Sequence, residues 1–261
     1  MAERRNRQYG RYIPHDTIPA VTPLPLAATS NRPNRKIPRT QPNGGTGSGA
    51  MDTIATDHLL RTTRAVRRRL DLERAVEPEI ILDCLRLATQ APTASNDQNW
   101  RWLVVTDADL RAKLAELYRS SGLDYLTHAA ETETDPQTRR VYESALALTD
   151  VLAQVPVHVI PCIERRFDGA PNPIAASAYG SILPAAWSFL LALRSRGLGS
   201  VWTTLHLFRE REAAELLGIP DHVTQVALFP VAYTIGTEFK PAARPPVESV
   251  TSWNRWGGPR P

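Results

Sequence analysis

Four arginines, Arg64, Arg67, Arg68 and Arg69, fall within six positions and form the densest positive charge beyond residue 51. A helix over 57–66, with Leu59, Leu60 and Thr63 on one face, would end among them, with positions 64, 67 and 68 on one side of the turn. Guanidinium forks match the oxygens of a phosphate in pairs. A solvated basic face near a helix C-terminus, favoured by the helix dipole, gives the same pattern, and charge alone does not separate the two readings. Two further groups of polar side chains stand out along the chain. Ala91-Pro92-Thr93-Ala94-Ser95-Asn96 is a turn-rich loop followed by Gln98, and Thr203 and Thr204 follow Trp202 after a Gly-Leu-Gly turn. Asn96 also has the ordinary role of closing a local turn, and the two threonines that of strand formers.

Other constellations are missing from the sequence. No GxGxxG opens a strand–helix unit and no GxxxxGK[ST] occurs, so neither common nucleotide loop is indicated. No HExxH or Cys/His cluster offers a metal site, and no GxSxG presents a nucleophile. Cys84 and Cys162 each sit in an apolar stretch and read as buried thiols of a reduced, cytoplasmic protein. His206, alone after the threonine pair, reads as a packing residue.

The elements that would position these groups alternate. Pro78 opens a helix over 79–89. Trp100–Thr106 reads as a strand, and Asp107 caps a helix running through Tyr118. Residues 121–150 are polar and helical in part. Val155–Ile163 is a second strand, Pro173–Ser195 a long buried helix, Gly197–Thr204 a turn into a third strand, Glu210–Leu217 a short helix stopped by Gly218, and Gln225–Ile235 a fourth strand. This order gives an α+β fold with a central mixed sheet of about four strands flanked by helices. The last 25 or so residues are proline-rich and extended, with Trp253 and Trp256 near the end. Such a tail makes sense packed across a second subunit, the tryptophans acting as buried anchors.

The net charge of +4 is unevenly spread. Residues 1–50 hold 8 Lys/Arg and 2 Asp/Glu, leaving 23 basic and 25 acidic residues for the rest. Residues 1–51 therefore read as a disordered basic N-terminal tail, and 52–261 as one slightly acidic domain whose charge gives no argument for nucleic-acid binding. No apolar run reaches the ~18 residues of a membrane span. The closest, around Ser181–Leu193, reads as a buried helix, so neither nucleic acid nor membrane is an expected partner.

Four stretches together resemble a known family. TTRAVRRRLD (62–71) followed by APTASNDQNWRWLVV (91–105) is similar to the two N-terminal motifs of FMN-dependent nitroreductases. SFLLALRSRGLGSVWTT (188–204) resembles their long central helix, GLGS turn and strand. LLGIPDHVTQVALFPVAYTIG (216–236) with ARPPVESV (243–250) resembles the final strand and Arg-x-Pro tail. GLGSVWTTLH and ESVTSWN look closest to an actinobacterial branch. The likeness spans roughly residues 57–253, in the right order.

The resemblance implies a nitroreductase-like fold, a homodimer that exchanges its C-terminal extension, bound FMN, and NADH or NADPH as electron donor. Carried over position by position, Arg64 and Arg67 match phosphate-side FMN contacts. Ala65 stands where serine is usual and Thr63 where another arginine is common, so at 65 only the backbone N–H remains. Pro92, Thr93, Ala94, Asn96 and Gln98 match a loop that reaches the flavin from the other subunit. Trp202, Thr203 and Thr204 match the segment beside the isoalloxazine ring, with Thr203 or Thr204 facing flavin N5. Arg244 matches a C-terminal arginine that closes on the phosphate, again commonly from the partner chain. The implied activity is ping-pong hydride transfer from NAD(P)H to nitroaromatic, quinone or similar conjugated acceptors, with Tyr118, Tyr125 and Tyr142 available to stack on them. The same fold also carries reductive dehalogenation, flavin fragmentation and non-catalytic FMN storage.

Overall fold

The computed structural model describes residues 52–261; the expected N-terminal tail lies outside the described residues. Within them, Asp52 caps α1 (Thr53–Thr62) by accepting from the Ala55 N–H, four residues earlier than the sequence implies. The helix ends where the Thr62 and Thr63 hydroxyls turn back to donate to the carbonyls of His58 and Leu59. The arginine run therefore lies beyond the helix, in extended chain, and the shared helical face expected for 64, 67 and 68 does not exist.

The sheet contains β1 (Trp100–Val105), β2 (Val157–Ile163), β3 (Leu198–Gly199), β4 (Thr224–Gln225) and β5 (Phe229–Tyr233), in the order β1-β2-β5-β3 with β4 beside β2. Every pairing is antiparallel, whereas a mixed sheet was expected. The reason is that the crossover from β2 to β3 joins strands of the same direction but leaves β5 between them. The expected third strand shrinks to two residues plus a bridge from Thr203 to Leu228. The expected fourth divides into β4 and β5, because Val226 and Leu228 send their N–H groups to Pro161 and Thr203. β2 and β5 are buried along their whole lengths, as strands covered on both faces must be.

Helices supply the two covers. On one face α2 (Pro78–Ala88) and α5 (Asn172–Ser195) pack around Phe189, Phe229, Val159 and Leu198. On the other, α3 (Ala108–Thr132), α4 (Pro136–Val151) and α6 (Glu210–Leu217) enclose Leu114, Tyr118, Leu148, Ile160 and Leu228. The polar stretch 121–150 is thus helical almost throughout, with Asp135 as cap and Pro136 in the first turn of α4. Gly218 closes α6 in the left-handed conformation at φ 66°. α5 is long and apolar enough by length and composition alone to cross a membrane. Here it is the core helix, with Ile182, Ala185, Ala186, Phe189 and Leu193 against the sheet. Cys84 and Cys162 are both buried and free, and burial pushes their thiols up to about 11 and about 12.

Candidate active site

After α1 the chain runs along the edge of the sheet. Val66 donates to the Ser200 carbonyl at 2.8 Å, Asp71 to Tyr233 at 2.8 Å and Ile235 to Arg69 at 2.9 Å. This seam is tight: a Cβ at Gly199 would lie 2.5 Å from Thr234 Cγ2 and 3.0 Å from Val66 Cβ. Only glycine lets the two backbones approach this closely.

The seam forms one side of a cleft of about 500 Å³. Arg64, Ala65, Arg67, Trp202 and Arg244 all line it. The Arg64 guanidinium donates to the carbonyls of Lys240 at 3.0 Å and Thr63 at 2.6 Å, and to that of Arg61. Arg67, half-buried, donates to Ser144 Oγ at 3.2 Å. Arg244 is exposed and donates to the Ala243 carbonyl at 3.1 Å. Arg68 and Arg69 turn elsewhere, to the carbonyls of Glu143, Ile235 and Glu238, with Arg69 over the Phe239 ring. The lining also has an apolar part, from Val141, Trp187, Leu190 and Val201, and Trp202 packs edge-on against Phe229.

The electrostatics are those of an anion site. Burial, and then the nearby Arg244, hold the Arg64 guanidinium below its ordinary value, and burial does the same to Arg67. Two buried polar atoms on the lining, Ser200 Oγ and Arg194 Nε, have no hydrogen-bond partner. Desolvated cations and orphaned donors are costly unless a ligand meets them. A phosphate at the arginine end and a flat aromatic group along the apolar wall fit this donor set.

The remaining expected residues lie elsewhere. Pro92, Ala94, Asn96 and Gln98 are exposed, Thr93 is half-buried, and none lines the cleft. The loop is pinned to α5, where Ala94 donates to Ser181 Oγ at 3.0 Å. It also holds itself, with Gln98 Nε2 donating to Asn96 Oδ1 at 2.9 Å. Ser95, Asn96 and Gln98 have φ of 54°, 55° and 49°. Left-handed backbone at non-glycine residues costs on the order of 1 kcal/mol or more each and persists where a site requires it.

Thr203 donates its hydroxyl to Tyr118 Oη at 2.9 Å, and Thr204 is exposed at the start of a short 3₁₀ turn, Leu205–Arg209. Tyr118 is 2% exposed, so it is a core residue and does not stack on an acceptor as expected. Tyr125 and Tyr142 meet edge-to-face at 6.1 Å, off the cleft lining. His206 is fully buried with neither ring nitrogen partnered, and burial, then His158, pulls it down to about 4. The sequence reading missed the α4 face of Gln137, Arg140, Val141 and Ser144, spaced 3, 4 and 7 apart. It also missed Trp187 and Arg194 of α5. The Asp-Pro cap and that spacing were the available signals.

Residues 60–233 match the model of the Nitroreductase family, so the chain belongs to that family of flavoprotein oxidoreductases. A relative from Thermus thermophilus named NADH dehydrogenase is 30% identical over 216 residues, covering 76% of this chain and 98% of that protein. Among solved structures, oxidized iodotyrosine deiodinase bound to FMN and 3-iodo-L-tyrosine superposes with a TM-score of 0.59 at 24% identity, covering 76% of this chain and 98% of its own. The FMN-dependent nitroreductase NfnB from Mycobacterium smegmatis, in complex with NADPH, gives 0.56 at 21% identity, covering 77% and 99%. These two share the nitroreductase-like fold with this chain.

Proposed function

We propose that this protein is an FMN-dependent NAD(P)H oxidoreductase that acts as a cytoplasmic homodimer on nitroaromatic, quinone or similar conjugated acceptors. The observation that carries the reading is the cleft, where Arg64, Arg67 and Arg244 converge without a carboxylate partner beside an apolar wall. Bound FMN would supply the redox chemistry, accepting a hydride from NADH or NADPH and passing the reducing equivalents to the acceptor.

The chain's own residues do the holding and placing. Arg64, Arg67 and Arg244 grip the phosphate through charge-assisted hydrogen bonds, and the Ala65 N–H and Ser200 hydroxyl add donors. Trp202 bounds the ring side. Thr203 commits its hydroxyl to Tyr118, so Thr204 is the stronger of the two for the N5 side. The Pro92–Gln98 loop completes the site from the partner, because in its own subunit it stands apart from the cleft. Exposed apolar side chains support that partner. Ile54 and Leu60 on α1, Leu183 and Trp187 on α5, and Trp253 and Trp256 in the tail are all open to solvent in a single chain.

The test is oxidation of NADH and NADPH by the purified yellow protein, with a nitroaromatic and with a quinone. Turnover with parallel double-reciprocal lines supports the reading. Failure of both nicotinamides to reduce the bound flavin overturns it, and iodide release from an iodinated phenol would redirect it to dehalogenation.

A further inference from the structure

We propose that Arg140 receives a second anion in the same cleft, a carboxylate or phosphate carried by a substrate, beside the group held by Arg64, Arg67 and Arg244. The inference rests on the oxidoreductase reading above and concerns which substrates that site prefers.

The cleft carries more positive charge than one phosphate needs. Its lining contains five arginines, Arg64, Arg67, Arg140, Arg194 and Arg244, and no aspartate or glutamate. Among the described residues, none of the five lies within ion-pair distance of a carboxylate. A phosphomonoester brings about two negative charges at neutral pH. Arg64, Arg67 and Arg244 account for it. Arg194 donates to the Thr237 carbonyl at 3.0 Å with its guanidinium 4.9 Å from the Phe239 ring centroid, and its buried Nε is left without a partner.

Arg140 has no such occupation. Its one hydrogen bond goes to Gln137 Oε1 at 3.0 Å, a neutral neighbour one turn earlier. Gln137, Arg140, Val141 and Ser144 form one stripe of α4 on the cleft wall, and Ser144 is the residue that takes Arg67. The stripe thus links the phosphate end to a second cation farther along the same wall. Asp135, the cap five residues before Arg140, is engaged through Thr138, and Arg140 is the smallest of the influences on its carboxyl. Glu143, three residues on, receives Arg68 at its backbone carbonyl, and its carboxylate forms no ion pair with Arg140. Arg140 is solvent-exposed at the cleft margin, and an unpaired cation there attracts the negative end of an entering molecule and raises its local concentration.

Two sources offer that chemistry: a carboxylate on the aromatic acceptor, or the extra phosphate that distinguishes NADPH from NADH. The experiment uses full-length, FMN-loaded protein, with Arg140→Gln and Arg140→Lys beside the unaltered chain. Two matched pairs are compared within each protein by kcat/KM, 4-nitrobenzoate against 4-nitrobenzamide and NADPH against NADH. Benzoate and benzamide Kd values from the flavin absorbance give a readout independent of turnover. The expected result is that Arg140→Gln lowers the anion-to-neutral ratio about three- to fivefold in one pair, the scale of one partly exposed charge pair. The change lies in KM, Arg140→Lys retains most of the preference, and the affected pair names the source. High salt should erase the same preference in the unaltered protein. Ratios that stay level in both pairs overturn the inference. So does loss of FMN from Arg140→Gln, since the charge would then serve the cofactor. A parent protein that retains no FMN or oxidises neither nicotinamide brings down the oxidoreductase reading, and this is seen before any variant is made.

Discussion

The segment 63–71 and the loop 91–98 carry the two N-terminal motifs, yet the fold treats them in opposite ways. The first is fixed within its own subunit, its backbone paired to Ser200, Tyr233 and Ile235 and two of its arginines, Arg64 and Arg67, turned into a cleft. The second is anchored at one point on α5 and presents exposed, left-handed residues away from that cleft. The C-terminal tail is divided: Arg244 lines the cleft of its own chain, and nearly all the residues beyond it face outward. Trp256 is 100% exposed and Trp253 44%, and no residue after Phe239 joins a core cluster. A single chain therefore lines the arginine cleft by itself and leaves the loop and the last residues of the tail facing outward. The shared, two-subunit site proposed above rests on that asymmetry.

The largest test of this difference is removal of residues 241–261. The core contains none of them, so the domain should stay folded while dimerisation and FMN retention are both lost, as read by sedimentation and flavin absorbance. A truncated protein that remains a yellow dimer would erase the contrast between segment and tail. Next, Arg67→Ala removes a half-buried phosphate donor and should weaken FMN binding roughly 10–100-fold, the range for a hydrogen bond to a charged group. The same replacement at Arg69, which is bound to carbonyls outside the cleft, should leave the FMN Kd within about threefold.

A smaller effect is expected from Gly199→Ala. The new methyl group meets Thr234 and Val66 across the seam, and overpacking of this kind costs roughly 1–3 kcal/mol. The melting temperature should fall by several degrees, since ~1 kcal/mol shifts a domain of this size by about 2–4 °C. The smallest concerns His158 and His206, in and beside the sheet. Burial pulls both down to about 4, against about 6.5 for an unfolded histidine. Between those values the unfolded chain binds more protons, so stability is level above about pH 7 and falls as pH drops toward 4. Thermal melts at pH 7.5 and pH 5 should differ by a few degrees, and His206→Leu should narrow the gap. An unchanged gap would mean that His206 is not the group responsible.

The sequence was most legible where local chemistry and family motif agree. Asp107, Pro78 and Gly218 mark their helices in place, and Arg64, Arg67, Trp202 and Arg244, separated by up to 180 positions, line one cleft, with Arg244 coming from the same chain where the motif commonly takes it from the partner. It was least legible where tertiary pairing overrides local pattern. The helix before Arg64 stops early because two threonine hydroxyls and the sheet edge compete for its last turn. The strand after Gly197 is cut to two residues because Thr203 and Leu228 pair separately. Tyr118 reads equally as a residue that stacks on an acceptor and as one of ordinary helix packing; α3 continues past it and buries it against Thr203. Arg140 was invisible because its importance lies in what surrounds it, a wall without carboxylates, and no local pattern reports that.

The central claim is that two chains build one FMN site, the arginines from one and the Pro92–Gln98 loop from the other. Its most direct test mixes two inactive variants, Arg67→Ala and a loop variant carrying Asn96→Ala with Gln98→Ala, under conditions that exchange subunits. Sites shared between chains leave the mixed dimer with one intact site formed by unaltered residues from both, so about a quarter of all sites should regain FMN and NAD(P)H oxidation. Sites built within one chain would carry a defect in every subunit, and a mixture no better than either variant alone would contradict the account.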